Sequence, residues 1–451
     1  MNILFLSIFT ILGLFYLVLG LFVSRGIKTN DDYFLAGRKM GLFPLTFTLI
    51  ATQVGGGMML GTAAQSYNIG YWGILYTVGI GLGFLILGFG LASKLREFNV
   101  ATTAELFELK YNSKFLRQVA SILSIITLFG ILGAQVVALK SVLIALGLNN
   151  NFIFILFWLF IIIYTMIGGL AAVAITDTVQ IIFLIFVFGF LFIKTAFLGN
   201  AINAFSFSNF IGQQNFFNSQ NFSFLTLFPI VFNPMMFSLI EQDLAQRFFS
   251  AKTKKIAALA ALFSGIFMLV FAFIPVYFGM QAKLNGLFIP AGSNPLVITI
   301  NNIASNLLLS LVVCALAAAI TSTADSLLCA ISSNIVQDFD FNFIKINKLK
   351  FSKIVTLVVG LLSIIVAYFS NDIIGILIQS YELSISCLFI PIFLCYFKVQ
   401  LNKNAAILSV VMGFAGFVLF RFLSLPVPKE LASLILSLFG YLIGSKLIKS
   451  N

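Results

Sequence analysis

The chain has 451 residues, of which 61% are hydrophobic and only 9% are charged, with a net charge of +12 and no histidine. Soluble domains carry about 25% charged residues, so this composition excludes a soluble protein and indicates an integral membrane protein. Since backbone groups in lipid must be paired internally, the continuous apolar runs of about 20 residues predict transmembrane helices rather than a barrel.

Thirteen apolar runs predict thirteen transmembrane helices. In chain order they lie near residues 3–23, 41–68, 71–93, 118–145, 151–168, 177–198, 222–244, 256–280, 305–336, 353–370, 373–397, 404–423 and 430–447. The first run is too long for a signal-peptide core and lacks a small-residue cleavage pattern, so it predicts a membrane helix. The longest outer loop, 199–221, carries no charged residue, which fits an ordered lid or a plain connector.

The Lys and Arg residues fall mainly in alternate connecting segments. With the N-terminus outside, the outer loops hold only Lys283 and Lys429, and the basic clusters, including Arg247 and Lys252, fall in cytoplasmic segments. The positive-inside rule therefore predicts an outer N-terminus and a cytoplasmic C-terminus. The positive charge is an orientation signal and gives no reason to expect a nucleic-acid partner. The Phe, Ile, Asn and Lys bias with short loops is typical of a bacterial cytoplasmic (inner) membrane.

The second span contains the stretch Ala51-Thr-Gln-Val-Gly-Gly-Gly57. Each glycine costs a helix about 1 kcal/mol against alanine, so three in a row predict an interruption. An unwound turn frees carbonyl oxygens that can replace the water shell of a cation. The alternative is that the glycines only let two helices pack closely. The polar neighbours Thr52 and Gln53 favour binding.

The seventh span contains a second set of helix-breaking residues, namely Pro229 and Asn233-Pro234 followed by Glu241-Gln242. If spans 2–6 and 7–11 form two repeats of five helices, each interruption falls in the first helix of its repeat. The two repeats would then be inverted, because they start on opposite sides of the membrane. Paired interrupted helices in the two halves indicate a transport site near the midplane.

The ninth span carries the polar run Thr321-Ser-Thr-Ala-Asp-Ser326 in an otherwise apolar helix. Ser322 and Ser326 share a face, and Ala319 lies one turn before Thr323. The Ala319 carbonyl and two hydroxyls, with two oxygens from an interrupted helix, would give five ligands without a carboxylate. Such a set suits Na⁺, since Ca²⁺ usually takes six to eight oxygens. The alternative is that the hydroxyls only bond back to their own helix.

Two aspartates lie at membrane depth or at a span end. A carboxylate such as Asp325 is costly inside a membrane and usually faces a cavity or a partner. Asp177 stands at the start of the predicted sixth span. It either caps that helix or serves as a second cation ligand that faces Ser326.

Four segments together resemble the signatures of the sodium/solute symporter family: "ATQVGGGMMLGTA", "YTMIGGLAAVAITDTVQ", "QDLAQRFFSAKTKKIA" and "ITSTADSLLCAISS". The similarity covers roughly residues 30 to 400 in the family's order, and members carry proline, pantothenate, sugars, sialic acid, iodide or choline. The resemblance implies an all-α integral membrane fold with a LeuT-like 5+5 inverted repeat. The chain would be one transporter domain, 1–451, with an extra N-terminal helix and loop 1–40, repeats 41–198 and 222–397, and two C-terminal helices 404–451.

The resemblance also implies ion and solute positions. The first sodium site maps to the carbonyls of Ala51, Val54 and Ala319 and the hydroxyls of Ser322 and Thr323. A second sodium site, present in some members, maps to Asp177 and Ser326. The candidate solute positions are Gln53, Gly55, Tyr76, Gln135, Glu241, Tyr381 and Glu382.

The solute itself is less well specified. Local likeness is strongest to choline carriers, yet Gln53 and Glu241 stand where the tryptophans of an ammonium cage are expected, and proline carriers have an aspartate in place of Gln53. Amides with two carboxylates suit a zwitterion such as an amino acid.

The sequence therefore predicts a sodium-coupled symporter that imports a small polar organic solute across the bilayer, with Na⁺ as coupling ion and no obligate protein partner. One alternative is a proton-coupled carrier with relays at Asp177, Asp325, Glu241 or Glu382. Another is uptake of a carboxylate or vitamin such as pantothenate, or of a quaternary amine such as choline. An enzyme is not expected, because histidine is absent and no catalytic pairing is evident.

Overall fold

The computed structural model describes residues 2–148, 150–197, 223–341, 347–369, 372–397, 401–423 and 426–446, and these residues are almost entirely helical. The predicted loop 199–221 lies outside the described residues. In chain order the α-helices are Asn2–Ser24, Asn30–Leu35, Leu42–Gln53, Thr62–Ile69, Leu75–Ile86, Ala92–Phe98, Glu105–Tyr111, Lys114–Ala145, Asn151–Ala196, Phe224–Ser238, Gln242–Ser250, Lys254–Phe271, Phe273–Leu284, Pro295–Ile303, Asn306–Asp338, Lys348–Ser363, Ile373–Cys395, Lys403–Leu419 and Lys429–Lys446.

Nine helices in the described part of the chain are long and apolar enough to cross a membrane, and the molecule is a multi-pass membrane protein. Two shorter apolar helices, Leu42–Gln53 and Lys403–Leu419, add to them. Two of the nine, Gly57–Phe98 and Asn151–Ala196, are 42 and 46 residues long. At 1.5 Å per residue each would extend over 60 Å or more, about twice the thickness of the bilayer core, so each must turn back.

Both long segments turn at a glycine with positive φ. Gly70 has φ 63° and Gly169 has φ 53°, a region that residues with a Cβ rarely adopt. The hydroxyls of Thr62 and Thr77 bond across the first turn, 15 residues apart in sequence. The hydroxyls of Tyr164 and Thr176 likewise bond across the turn at Gly169, 12 residues apart. A straight helix would separate such a pair by about 18 Å or more, so each long segment is an antiparallel helix pair.

The turn at Gly169 corrects one predicted boundary. The sixth span starts directly after this glycine rather than at residue 177, because helical geometry resumes there. Asp177 therefore lies about two turns inside the helix, too far from its start to satisfy the orphan amides of the first turn. The interpretation of Asp177 as a helix cap is wrong.

The helix Asn306–Asp338, called the polar helix below, occupies the centre of the molecule. In its membrane-spanning part 83% of the residues are buried, against 17% in the N-terminal helix at its periphery. All of the predicted polar run lies on this helix and is buried. The hydroxyls and the Asp325 carboxylate therefore face neighbouring helices rather than lipid.

Candidate ion and solute site

The second span is interrupted where its glycines predict it. The helix Leu42–Gln53 ends at Val54, whose ψ of 59° leaves the helical region. The Gly55 amide then donates to the Gln53 carbonyl at 2.8 Å, which closes a tight turn. A wide π-type turn at Gly57–Gly61 leads into the helix Thr62–Ile69. Together these segments form the first broken helix.

Gly55 is required by the approach of the polar helix. A Cβ atom added to Gly55 would lie 2.2 Å from the Thr323 hydroxyl and 2.9 Å from the Gln135 side-chain oxygen. The neighbouring amide of Gly56 donates to the same Gln135 oxygen at 2.8 Å. The glycines therefore interrupt the helix and also allow Thr323 to pack closely against it. Close helix packing and ion binding, the two interpretations of this stretch, do not exclude each other.

Four of the five oxygens predicted for the first sodium site meet at this break. The Ala51 carbonyl accepts hydrogen bonds from the hydroxyls of Ser322, at 3.0 Å, and Thr323, at 3.3 Å. The Ala319 carbonyl accepts from the same hydroxyls at 2.9 and 3.2 Å. Val54, the fifth candidate, directly precedes the glycine that contacts Thr323. All four oxygens in the cluster carry lone pairs that can turn to a cation in place of these bonds.

The candidates for the second ion are also brought together, but through an arginine. Asp177 is buried and its Oδ2 accepts from the Thr48 hydroxyl at 2.5 Å. The guanidinium of Arg247 places Nη2 at 3.5 Å from this oxygen and donates from the same nitrogen to the Ser326 hydroxyl. Ser326 also lies 3.2 Å from the Thr52 hydroxyl.

Sequence reasoning counted Arg247 among the basic residues of a cytoplasmic connecting segment, whereas the structure places it in the helix Gln242–Ser250. The side chain is fully buried, because Asp177, the Thr48 hydroxyl and the Asp243 carbonyl satisfy its guanidinium. The signal that could have found it was its place in the segment "QDLAQRFFSAKTKKIA", one of the four that carry the family resemblance.

The seventh span is also interrupted, although not at its prolines. Pro229 and Pro234 lie inside the helix Phe224–Ser238, since neighbouring groups in a helix bundle can accommodate a proline at membrane depth. The break comes after Ser238, and Glu241 has an extended backbone (ψ 128°) before the helix Gln242–Ser250 begins. These two helices and the break between them form the second broken helix.

Both broken helices line one small central cavity. Five of the candidate solute residues, Gln53, Tyr76, Gln135, Glu241 and Tyr381, border it. The other lining residues are Thr52, Gly57, Ile131, Asp243, Thr323, Leu327 and Leu377. Its volume of about 10 Å³ holds one water molecule, so the described conformation is contracted around the site.

Polar contacts across the cavity join elements from both halves of the chain. The Gln53 amide donates to the Glu241 carboxylate at 3.2 Å, which links the two broken helices. The hydroxyls of Tyr76 and Tyr381 lie 2.9 Å apart, and the Phe237 ring stacks on Tyr381 with centroids 4.6 Å apart. The wall therefore combines two carboxylates, two amides and aromatic side chains.

Glu382 does not join the other candidates. Successive residues of a helix point about 100° apart, so Glu382 faces away from the cavity that Tyr381 borders. Its buried carboxylate instead pairs with Lys429 at 3.2 Å and Arg421 at 3.6 Å. This placement does not support the prediction that Glu382 contacts the solute. The two ion pairs instead connect Glu382 to the C-terminal part of the chain.

The two ends of the molecule differ in how open they are. A polar cavity of about 180 Å³ lies beyond Gly61, on the side predicted to be outer, and is bordered by Gln65, Asn68, Asn294 and Asp372 among others. On the opposite side the described residues are tied together, with Arg117 paired at 2.8 Å to each of three carboxylates, those of Glu105, Glu108 and Asp338.

Comparisons with known proteins agree with this architecture. The model of the sodium:solute symporter family matches residues 33–413. A solved structure of a Na⁺-coupled sialic acid symporter, in a substrate-bound outward-open state, is similar with a TM-score of 0.80 at 19% identity, covering 98% of each chain. The structure of Mhp1, a nucleobase-cation-symport-1 family transporter, is similar with a TM-score of 0.61 at 15% identity, covering 92% of this chain and 93% of that chain. The structure of MhsT in complex with L-phenylalanine is similar with a TM-score of 0.56 at 16% identity, covering 89% of this chain and 98% of that chain. At these identities the structures share the fold.

Proposed function

Because this chain belongs to the sodium:solute symporter family, we propose that it imports a small polar organic solute together with Na⁺ by alternating access. Family membership makes the protein a membrane transporter rather than an enzyme, and Na⁺ is its coupling ion. The proposal extends to the architecture: thirteen spans, repeats 41–198 and 222–397, and an outer N-terminus in a bacterial cytoplasmic membrane.

The observation that carries the proposal is the oxygen cluster at the first break. We assign the carbonyls of Ala51 and Ala319 and the hydroxyls of Ser322 and Thr323 to Na⁺, with the Val54 carbonyl as the fifth ligand. The four oxygens already lie 2.9 to 3.3 Å from one another across the hydrogen bonds that join them. A cation that draws them in would replace these bonds and tie the break to the polar helix.

The ion site and the solute cavity share residues, which supports coupling between them. Thr323 belongs to the oxygen cluster and also borders the cavity. Gln135 borders the cavity and holds the Gly56 amide of the break. Sodium binding would therefore order the wall against which the solute packs. The gradient can supply work because one charge moved through 100 mV yields about 2.3 kcal/mol, provided that the two conformations bind ion and solute with different affinities.

The cavity chemistry favours a solute with an ammonium group, such as a zwitterionic amino acid. Glu241 and Asp243 supply two carboxylates, while Gln53 and Gln135 supply amides for a carboxylate of the solute. Among the lining residues that the structure describes there is no Lys or Arg to hold a purely anionic solute. Choline and pantothenate are the alternatives to be tested beside amino acids.

An uptake panel in proteoliposomes tests the proposal. Labelled amino acids including proline, and labelled choline, pantothenate and sialic acid, are offered under an inward Na⁺ gradient, a matched K⁺ gradient and a proton gradient at equal ionic strength. We expect accumulation of one solute class under the Na⁺ gradient alone. Accumulation driven by the proton gradient without Na⁺ would instead establish the proton-coupled alternative.

The ion site is tested by removing two of its ligands. In the double variant Ser322→Ala/Thr323→Ala, the sodium concentration for half-maximal uptake should rise about thirtyfold, because each lost oxygen weakens binding by about 1 kcal/mol. Ser310→Ala is the matched control on the same helix, since its hydroxyl bonds only the Asn306 carbonyl one turn away in the contacts described. An unchanged sodium dependence in the double variant would reject this site.

A further inference from the structure

Asp243 is a carboxylate of the central cavity that was not among the solute residues predicted from the sequence. It is the second residue of the helix Gln242–Ser250, is fully buried, and borders the cavity together with Glu241. Neither oxygen of its carboxylate has a hydrogen-bond partner among the described residues. A buried polar group without a partner is costly, so this carboxylate suits a ligand better than it suits a structural role.

The charged groups near Asp243 form no ion pair with it in the described part of the chain. Its carboxylate lies beside that of Glu241, which accepts a hydrogen bond from the Gln53 amide. The guanidinium of Arg247 donates to the Asp243 main-chain carbonyl at 3.1 Å, and its other described hydrogen bonds go to side chains that do not border the cavity. The cavity wall therefore presents two adjacent carboxylates without a paired cation.

A solute with a single ammonium group balances only one of these carboxylates. A neutral amino acid also brings a carboxylate of its own, so the second negative charge of the wall would repel it. Two unit charges 4 Å apart at an effective dielectric constant of 20 repel enough to weaken binding about a thousandfold. A second positive group on the solute removes this repulsion. The amides of Gln53 and Gln135 can still take a solute carboxylate.

We propose that the solute carries two positive groups, as a basic amino acid or a diamine does, and that Asp243 selects for the second of them. Glu241, beside the Gln53 amide, holds the ammonium that all amino acids share, and Asp243 holds the added one. The inference rests on the proposed function and names the substrate class of its site.

Binding of matched compounds tests the inference, with isothermal titration calorimetry on the purified full-length protein in NaCl as the measurement. L-lysine is paired with L-norleucine, which lacks only the side-chain ammonium. Putrescine is paired with butylamine, which lacks only the second ammonium. We expect the wild type to bind L-lysine or putrescine about tenfold or more tightly than its partner compound, because a hydrogen bond to a charged group is lost in the partner. The two pairs distinguish a basic amino acid from a diamine.

Two variants separate the roles of the carboxylates. Asp243→Asn should weaken binding of the doubly charged compound about tenfold and change that of its partner compound little. Glu241→Gln should weaken both compounds about equally. Asp31→Asn is the matched control, since the Asp31 carboxylate is exposed and lies 3.8 Å from Arg38. Size-exclusion chromatography checks that each variant is folded, and Asp243→Ser, which also removes the charge, replaces Asp243→Asn if that variant does not fold.

The outcomes separate this inference from the proposed function. Comparable affinities within each pair, no binding of L-lysine or putrescine, or an unchanged preference in folded Asp243→Asn would each overturn the inference. Na⁺-driven uptake of another solute in the proteoliposome panel would then leave the proposed function standing. Binding of L-lysine or putrescine that is equal in NaCl and KCl, without uptake under the Na⁺ gradient, would overturn the proposed function and leave the role of Asp243. Neither binding nor Na⁺-driven uptake would overturn both.

Discussion

The two broken helices meet at one cavity but present opposite chemistry to it. The first, interrupted at Val54 and Gly55, offers main-chain carbonyls to neighbouring hydroxyls and carries no charged side chain at its break. The second, interrupted just before Gln242, places the Glu241 carboxylate at its break and Arg247 one to two turns later. The same backbone device therefore supplies neutral oxygens in one half and charge in the other.

This difference assigns a separate task to each break. Neutral oxygens can hold a dehydrated monovalent ion and still release it, because no full countercharge traps it. A carboxylate in a closed cavity instead favours a solute that brings a positive group of its own. The hydrogen bond from the Gln53 amide to the Glu241 carboxylate, at 3.2 Å, connects the two breaks directly.

The largest effect is expected from filling the first break. In Gly55→Ala the new Cβ would lie 2.2 Å from the Thr323 hydroxyl, so the polar helix must move away and the oxygen cluster must separate. We expect sodium affinity to fall about tenfold to a hundredfold, since overpacking costs about 1–3 kcal/mol. The measurement is the rise in unfolding temperature on exchanging KCl for NaCl, which binding to the folded state produces.

Gly189→Ala is the matched control for this substitution. Gly189 lies within a membrane helix and has no atom within 4 Å of the position of an added Cβ. It should keep the full sodium-dependent shift. If Gly55→Ala keeps it as well, the assignment of the first break to the ion is wrong.

An intermediate effect is expected at the second break. Glu241→Gln keeps the shape of the side chain but removes its charge, so the solute concentration for half-maximal uptake should rise about tenfold, the equivalent of about 1.5 kcal/mol. Sodium binding should change little, because the oxygen cluster is untouched. Glu97→Gln is the control, since its pair with Lys254 is exposed. An equal loss of sodium affinity in Glu241→Gln would remove the distinction between the breaks.

The smallest effect is expected where the cavity wall uses a neutral hydrogen bond. Tyr76→Phe removes one hydroxyl of the pair that lies 2.9 Å apart and leaves the ring in place. The solute concentration for half-maximal uptake should rise about fivefold, the equivalent of about 1 kcal/mol of binding free energy. Tyr368→Phe, at an exposed tyrosine, should leave uptake unchanged. A larger loss than that of Glu241→Gln would mean that the tyrosines, rather than the carboxylate, select the solute.

The sequence by itself determined what depends on composition and on neighbours along the chain. The small share of charged residues required a membrane protein. The three glycines Gly55–Gly57 were enough to predict the first break, because the free-energy cost of glycine in a helix depends on the residue itself and not on distant contacts. Helical periodicity likewise put Ser322 and Ser326 on one face. The oxygen cluster was predictable for these reasons together with the family resemblance.

Only the tertiary structure decided which partner each buried charge meets. Arg247 pairs with Asp177 from a helix 70 residues away in sequence, and Glu382 turns to Lys429 rather than to the cavity. The second break fell after Ser238 instead of at the prolines, and the turn at Gly169 moved Asp177 into a helix interior. Helical periodicity predicts which face of a helix a residue lies on, but which helix packs against that face depends on long-range contacts. A buried charge in a membrane protein needs a partner of opposite charge, and only the packing of distant segments decides which residue that partner is.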